Sequence, residues 1–306
     1  VTALAAAIQV VGGLALAPLL PGAVQALKAR LQGRRGPSPL QPYRELRRLW
    51  GKTLADPQPT TIVYRLAPCV VAAATALALF LVPIAGLSPD WSLGNDALVL
   101  VGLLALARFA LAAASWDTGS GFALMGSSRD LTLSIFAEAL LLLAIVLAAL
   151  PIGSTDLVAM NVAANGSAPW SEPTHWCAAV AFGLVVLFET GRQPIDNPDT
   201  HLELTMIHEG PLLEYAGRDL ALLEWSAAAR HWIVLVLGAE LFLPHRGGFG
   251  AQLACLAAGV ALLCAALAFT ETAQAKMRIL RAPALLAGGC LLALVGLASW
   301  LVGGPA

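Results

Sequence analysis

Residues 131–152 read LTLSIFAEALLLLAIVLAALPI, 22 residues carrying a single charge, Glu138. At about 1.5 Å per helical residue the run reaches roughly 30 Å, the thickness of a bilayer's hydrocarbon core. Seven further apolar runs flank it, at approximately 3–27, 63–87, 95–114, 173–190, 226–244, 249–272 and 284–302. The runs at 173–190 and 226–244 are marginal in length, so their ends are expected at the interface or in protein-lined space. The fold expected is all-α, a polytopic membrane protein of eight transmembrane helices. Composition agrees: 58% of the 306 residues are hydrophobic, only 12% are charged, and mean hydropathy is +0.76. That is too little charge to clothe a water-soluble surface. With neither an internal repeat nor a low-complexity linker, residues 1–306 read as one membrane domain. The missing repeat counts against a stand-alone secondary transporter of the inverted-repeat kind.

Seventeen of the 18 Lys and Arg residues fall in or beside the connections after runs one, three, five and seven; Arg246 is the exception. Basic loops stay on the cytoplasmic side, so both termini are expected to face outward across the cell inner membrane. No basic residues precede the first run, so no cleavable signal peptide is expected. The net charge of −1 says nothing about a partner, because its distribution matters more than its sum; no nucleic-acid partner is expected. The cysteines Cys69, Cys177, Cys255, Cys264 and Cys290 include no C-x-x-C pair and read as packing residues. No phosphate loop or nucleophile elbow is present. Catalytic, cofactor-binding and metal-binding residues are therefore not expected in this chain. Asn165-Gly166-Ser167 matches a glycosylation sequon but reads as a turn.

The first connection contains GRRGPSPLQPYRELRRLWGKTLADP (33–57). Leu40, Tyr43, Leu46, Leu49, Trp50 and Leu54 recur at helical spacing, with Arg44, Arg47, Arg48 and Lys52 opposite, and Pro42 suits a first helical turn. A basic amphipathic helix on the cytoplasmic side is expected, lying in the interface. It serves either as a lipid anchor or, through Arg34, Arg35, Arg44 and Arg47, as a docking surface for a soluble partner.

The fifth connection reads ETGRQPIDNPDTHLELTMIHEGPLLEYAGRDLALLEWSAAAR (189–230). Eight carboxylates, Glu189, Asp196, Asp199, Glu203, Glu209, Glu214, Asp219 and Glu224, stand among apolar residues, with Arg192, His201 and His208 between them. Such interleaving predicts a packed segment whose acids face a partly wet interior. Desolvation and mutual repulsion are expected to raise their pKa values toward neutrality, where carboxyls pass protons. The alternative is a charged docking loop, with Arg192, His201 and His208 facing a partner. Glu138, Glu240 and Glu271 lie within apolar runs, and intramembrane carboxylates mark ion pathways. Glu240 and Glu271 are expected nearer the interfaces than Glu138, and Asp96 is read as interfacial.

At these residues the chain resembles the membrane subunit 1 family shared by complex I and energy-converting [NiFe] hydrogenases. Glu189, Arg192, Pro194, Asp196, Pro198, Asp199, Glu203 and Leu204 match, in register, the family pattern E-T-N-R-x-P-F-D-x-P-E-x-E-S-E-L. Glu214-Tyr215-Ala216-Gly217 is similar to its E-Y-S-G, and GRRGPSPLQP to its first-loop motif. His201 replaces an acid of the pattern, and the stretch before Glu214 is longer. RGPSPLQPYRELRRL and ETAQAKMRILRAP resemble the hydrogenase branch, that of hydrogenase-4 component C and the formate hydrogenlyase membrane subunit.

The resemblance implies a non-catalytic subunit that anchors a soluble arm and couples redox chemistry to proton or sodium movement. The path implied runs through Glu138, Glu189, Asp196, Asp199, Glu203, Glu209, Glu214, Glu240 and Glu271. It further implies soluble [NiFe]-hydrogenase-like large and small subunits, a ferredoxin-like iron–sulfur subunit and antiporter-like membrane subunits as partners. The NiFe centre and iron–sulfur clusters would reside in those partners; the altered loop puts a quinone site in doubt. The alternative within the family is the quinone-chamber subunit of a complex I-type NADH:quinone oxidoreductase.

Overall fold

The computed structural model describes residues 11–85, 96–165, 170, 172–196, 206–245 and 247–303. Its helices are α1 (Leu19–Leu31), α2 (Gln41–Trp50), α3 (Ile62–Leu81), α4 (Ala97–Thr118) and α5 (Gly121–Ala149). They continue with α6 (Leu157–Ala164), α7 (Pro173–Glu189), α8 (Gly217–Phe242), α9 (Phe249–Ala273) and α10 (Ala282–Gly303). Among the described residues, seven spans are long and apolar enough to cross a membrane, α1 among them with the helical residues 11–16 that lead into it. The apolar α7 is shorter, at 17 residues. The bundle is all-helical and polytopic as expected; of the expected eight spans, seven have that length among the described residues, and the run at 173–190, expected to be marginal, is the shorter α7.

Two boundaries differ from the expectation. The fourth span begins at Gly121, ten residues before the apolar run, because α4 stops at Gly119 in a left-handed turn (φ 64°) and helix resumes at once. The polar residues 121–130 thus form a helical extension and not a loop. The sixth span is not marginal: the acid-bearing stretch from Gly217 onward is its first half, giving 26 residues.

α8 is the hub, packed against α1, α2, α3, α6, α7 and α9, while α10 lies outside against α5 and α7. Two prolines interrupt this frame, and α8 and its leading loop repair both. Pro18 has no N–H for the Leu14 carbonyl, which instead accepts the indole N–H of Trp225 at 3.2 Å. Pro68 likewise leaves the Tyr64 carbonyl free, and it accepts the Tyr215 hydroxyl at 3.0 Å. Tyr64 donates back to the Glu214 carbonyl at 2.8 Å, and the two rings stack at 4.4 Å between centroids. Burial first, then the neighbouring Tyr64, raises the Tyr215 pKa, so it stays a donor.

The amphipathic helix is present as α2, but only Leu49 is buried along it; Leu40 and Trp50 are exposed and Leu54 lies beyond its end. The loop after α7 folds back into the bundle. It closes on α5 at Gly126 and Gly210, where a Cβ on either would meet the other's Cα at 2.7–2.8 Å. Only glycine permits that approach.

Candidate functional site

Arg108 sits mid-way along α4, ten residues (118 − 108) from its end at Thr118, and is 3% exposed. Its guanidinium gathers three carboxylates. Nη1 donates to Glu138 of α5 at 2.6 Å, Nη2 to Glu189 at the end of α7 at 2.6 Å, and Nε faces Asp130 of α5 at 3.6 Å. The short α7 makes this possible: it ends about two and a half turns inside the ends of α4 and α5, placing Glu189 level with Arg108.

From Asp130 the chain of charges continues to His208, whose Nε2 lies 3.6 Å away and whose Nδ1 lies 3.2 Å from Asp196. Asp196 also accepts from Lys276 at 2.9 Å. Burial works to raise the Asp196 pKa, but the hydrogen bond and charge of His208, then those of Lys276, hold it below the usual carboxylate range. The expected rise toward neutrality therefore fails at this acid, because the bases His208 and Lys276 outweigh its burial. Beside this chain, Arg192 donates to both oxygens of Glu271 at 3.2 and 3.3 Å, and Lys28 lies 3.7 Å from the same carboxylate.

Both groups border a cavity of about 460 Å³ between α1, α2, α8 and the returning loop. Glu45, Arg48, Arg192, Asp196, His208, Glu209, Glu224, Arg230 and His231 line it, with Pro18, Leu46, Leu49 and Leu223 forming its apolar side. The volume far exceeds the ~10–15 Å³ that one water requires, and so charged a wall suits water. Among the described residues, no group of three or more His, Cys, Asp or Glu side chains is disposed to hold a metal ion.

The structure thus brings together Glu138, Glu189, Asp196, Glu209 and Glu271. Glu240 stands apart at the opposite end of α8, close to its last residue Phe242, and is fully buried. Glu271 is likewise buried, at 3% exposure. Glu214 contributes its backbone carbonyl to the Tyr64–Tyr215 clasp. Asp199, His201 and Glu203 lie outside the described residues. Arg34, Arg35, Arg44 and Arg47 are exposed, as a docking surface requires. Arg192 and His208 are not surface residues: Arg192 is 4% exposed and serves Glu271, and His208 bridges two internal acids. Asp96 caps α4 through a 2.8 Å bond from the Leu98 N–H.

Sequence reasoning missed Lys28, Arg108, Asp130, Arg230, Lys276 and Asn161. Four of these bases had been counted as loop charges; Arg108, ten residues from its helix end, carried the one signal that could have corrected the count.

Fold and site together define a polytopic helical membrane protein whose interior holds alternating acids and bases leading to a cavity at one end. The chain matches the NADH dehydrogenase family over residues 4–301 and belongs to it. It is 36% identical over 245 residues to hydrogenase-4 component C of Escherichia coli (strain K12), covering 79% of this chain and 76% of that one. Formate hydrogenlyase subunit 4 of the same organism is 31% identical over 239 residues, 75% of this chain and 74% of its own. A chain in the structure of the membrane-bound sulfane sulfur reductase, an archaeal respiratory membrane complex, shares the fold with a TM-score of 0.82. That chain is 20% identical, and the match covers 96% of this chain and 98% of that one. The family resemblance read from residues 189–217 and the first loop is borne out, as is the hydrogenase branch read from residues 35–49 and 271–283.

Proposed function

We infer that this chain is a membrane subunit of a hydrogenase-type respiratory complex, a reading supported by its likeness to hydrogenase-4 component C and formate hydrogenlyase subunit 4. Its task is to anchor the soluble arm and couple that arm's redox chemistry to proton or sodium movement. The observation that carries this is the buried series Asp196–His208–Asp130–Arg108–Glu138, which leads from the cavity into the mid-membrane. Glu138 is its terminus, and its side chain retains 31% exposure on the flank of α5. A partly exposed carboxylate at that depth calls for a covering membrane partner, the place for an antiporter-like subunit.

The exposed basic residues Arg30, Arg34, Arg35, Arg44, Arg47, Arg48, Lys52, Arg65, Arg218, Arg278 and Arg281 share the cavity's end of the bundle. That asymmetry supports a cytoplasmic location for this end in the cell inner membrane, with both termini outside. It also suits docking of [NiFe]-hydrogenase-like large and small subunits and a ferredoxin-like iron–sulfur subunit, which would carry the NiFe centre and the clusters.

Replacing Glu138 with Gln keeps the side chain's shape and removes its ability to ionise. The complex should assemble and keep electron transfer from artificial donors in detergent, while ion pumping in sealed vesicles falls at least about tenfold. Full pumping by the assembled variant would reduce Glu138 to a packing residue.

A further inference from the structure

Glu240 differs from every acid of the ionic series in what surrounds it. It is 0% exposed at the end of α8 remote from the cavity. Its Oε1 accepts the Ala85 backbone N–H at 2.7 Å. The Asn161 amide of α6 donates to Oε2, and also to the backbone carbonyl of Glu240 at 3.0 Å. Among the described residues, no Lys, Arg or His pairs with it, whereas Glu138, Glu189, Asp196 and Glu271 each face a base.

Among the described residues, the neighbouring groups supply no charge to balance it. The Asn165 amide approaches Asn161 Oδ1 at 3.5 Å, and Asn165 Oδ1 accepts the His245 backbone N–H at 2.6 Å. Burial, opposed by a backbone hydrogen bond at Leu243, shifts the buried His245 toward its neutral form. His175 of α7 packs on Phe242 at 5.7 Å between centroids. Asp156 and Asp96 are occupied as helix caps. The backbone at the site is also unusual: Ala85 holds φ 52°, a left-handed conformation rare for a residue with a Cβ, and it is this residue's N–H that meets the carboxyl.

The chemistry of the partners selects the ligand. A guanidinium or ammonium favours only the carboxylate. An amide serves both forms: it donates N–H to a carboxylate and, turned over, accepts the O–H of a carboxylic acid through its oxygen. Sodium would need several oxygens directed inward, yet both carboxyl oxygens already face N–H groups, whose polarity repels a cation.

We propose that Glu240 is a proton-binding site in its own right, served from the aqueous phase at the α6 end of the bundle, with Asn161 accommodating both the carboxylate and the acid. Uptake adds one proton from that phase to an oxygen of Glu240; release returns it to the same water, and no other bond changes. This assignment stands independently of the hydrogenase reading, since it concerns equilibrium protonation of the resting protein.

The test is infrared difference spectroscopy of the intact, purified complex between buffers of differing pH. Wild type should show a buried-carboxyl C=O band that grows on acidification. Glu240→Gln should remove that band completely, and Asn161→Leu should move it to higher frequency, because the carboxyl loses a hydrogen-bond partner. Persistence of the band at full intensity in Glu240→Gln would overturn the assignment, as would a wild-type-minus-variant spectrum without a carboxyl band at any pH. Should Glu240→Gln fail to assemble, the Asn161→Leu complex carries the test, and an unshifted band there refutes the proposal. Because no turnover is needed, a pumping-competent Glu138→Gln complex would leave this result untouched.

Discussion

α8 and α10 both cross the membrane, but α8 buries 61% of its most apolar stretch inside the protein and α10 only 22%. The more buried helix is the more polar one: α8 carries Arg218, Asp219, Glu224, Arg230, His231 and Glu240, whereas α10 has no charge from Ala282 to Gly303. This inverts the rule for soluble proteins. Where lipid is the outer solvent, apolar side chains face outward, and charged residues must gather inside against one another. Polarity within a span therefore marks the centre of the bundle.

Three measurements sharpen or break that contrast. The largest effect belongs to Arg108. Replacing it with Leu leaves Asp130, Glu138 and Glu189 without their common counter-charge, and removing one partner of a buried pair costs about 3–5 kcal/mol. Loss of assembled subunit from the membrane, and of melting temperature in detergent, should follow. Wild-type thermal stability in that variant would show that the acids are neutral at rest.

A smaller effect concerns pH. The folded protein holds the Asp196 carboxyl below its ordinary range, so its contribution is present above the unfolded value, near pH 4, and is lost as pH falls toward the folded one. Asp196→Asn should lower stability at neutral pH by about 1–3 kcal/mol and flatten the acid limb of the stability profile. Parallel acid limbs for variant and wild type would remove Asp196 from the account. Least affected should be Val295→Ala on the outer face of α10, where the side chain is 63% exposed. A change within about 0.5 kcal/mol is expected in the detergent-purified subunit. A greater loss confined to the whole complex would mean that a partner, and not lipid, covers this face.

The same inversion explains what was legible. Apolar runs and their intervening basic loops gave the all-helical bundle, the exposed arginines of the first connection and the intramembrane acids Glu138, Glu240 and Glu271. Hydropathy could not place helix ends where a polar stretch continues a span, as at 121–130 and 217–225. It also could not separate a loop arginine from an interior one, because Arg108 and Arg230 lie toward the ends of the apolar runs 95–114 and 226–244 and level with Glu189 or the cavity in space. The partners of each acid come from other helices, so whether Asp196 meets acids or bases is a fact of packing that spacing along the chain does not contain. Glu240 and Asn161 are 79 residues apart and became a pair only once α6 was seen to fold against α8.

The clasp between Tyr64 and Tyr215 bears on how the protein is made. A ribosome delivers α3 well before α8, and the hydroxyl that satisfies the Tyr64 carbonyl arrives 151 residues later. The Leu14 carbonyl waits longer still, 211 residues, for the indole of Trp225. Until then both proline breaks lie open, and only water or headgroups can answer them. A nascent chain halted before residue 215 thus carries two unanswered carbonyl dipoles, a feature that distinguishes an unfinished bundle from a completed one at the moment of insertion.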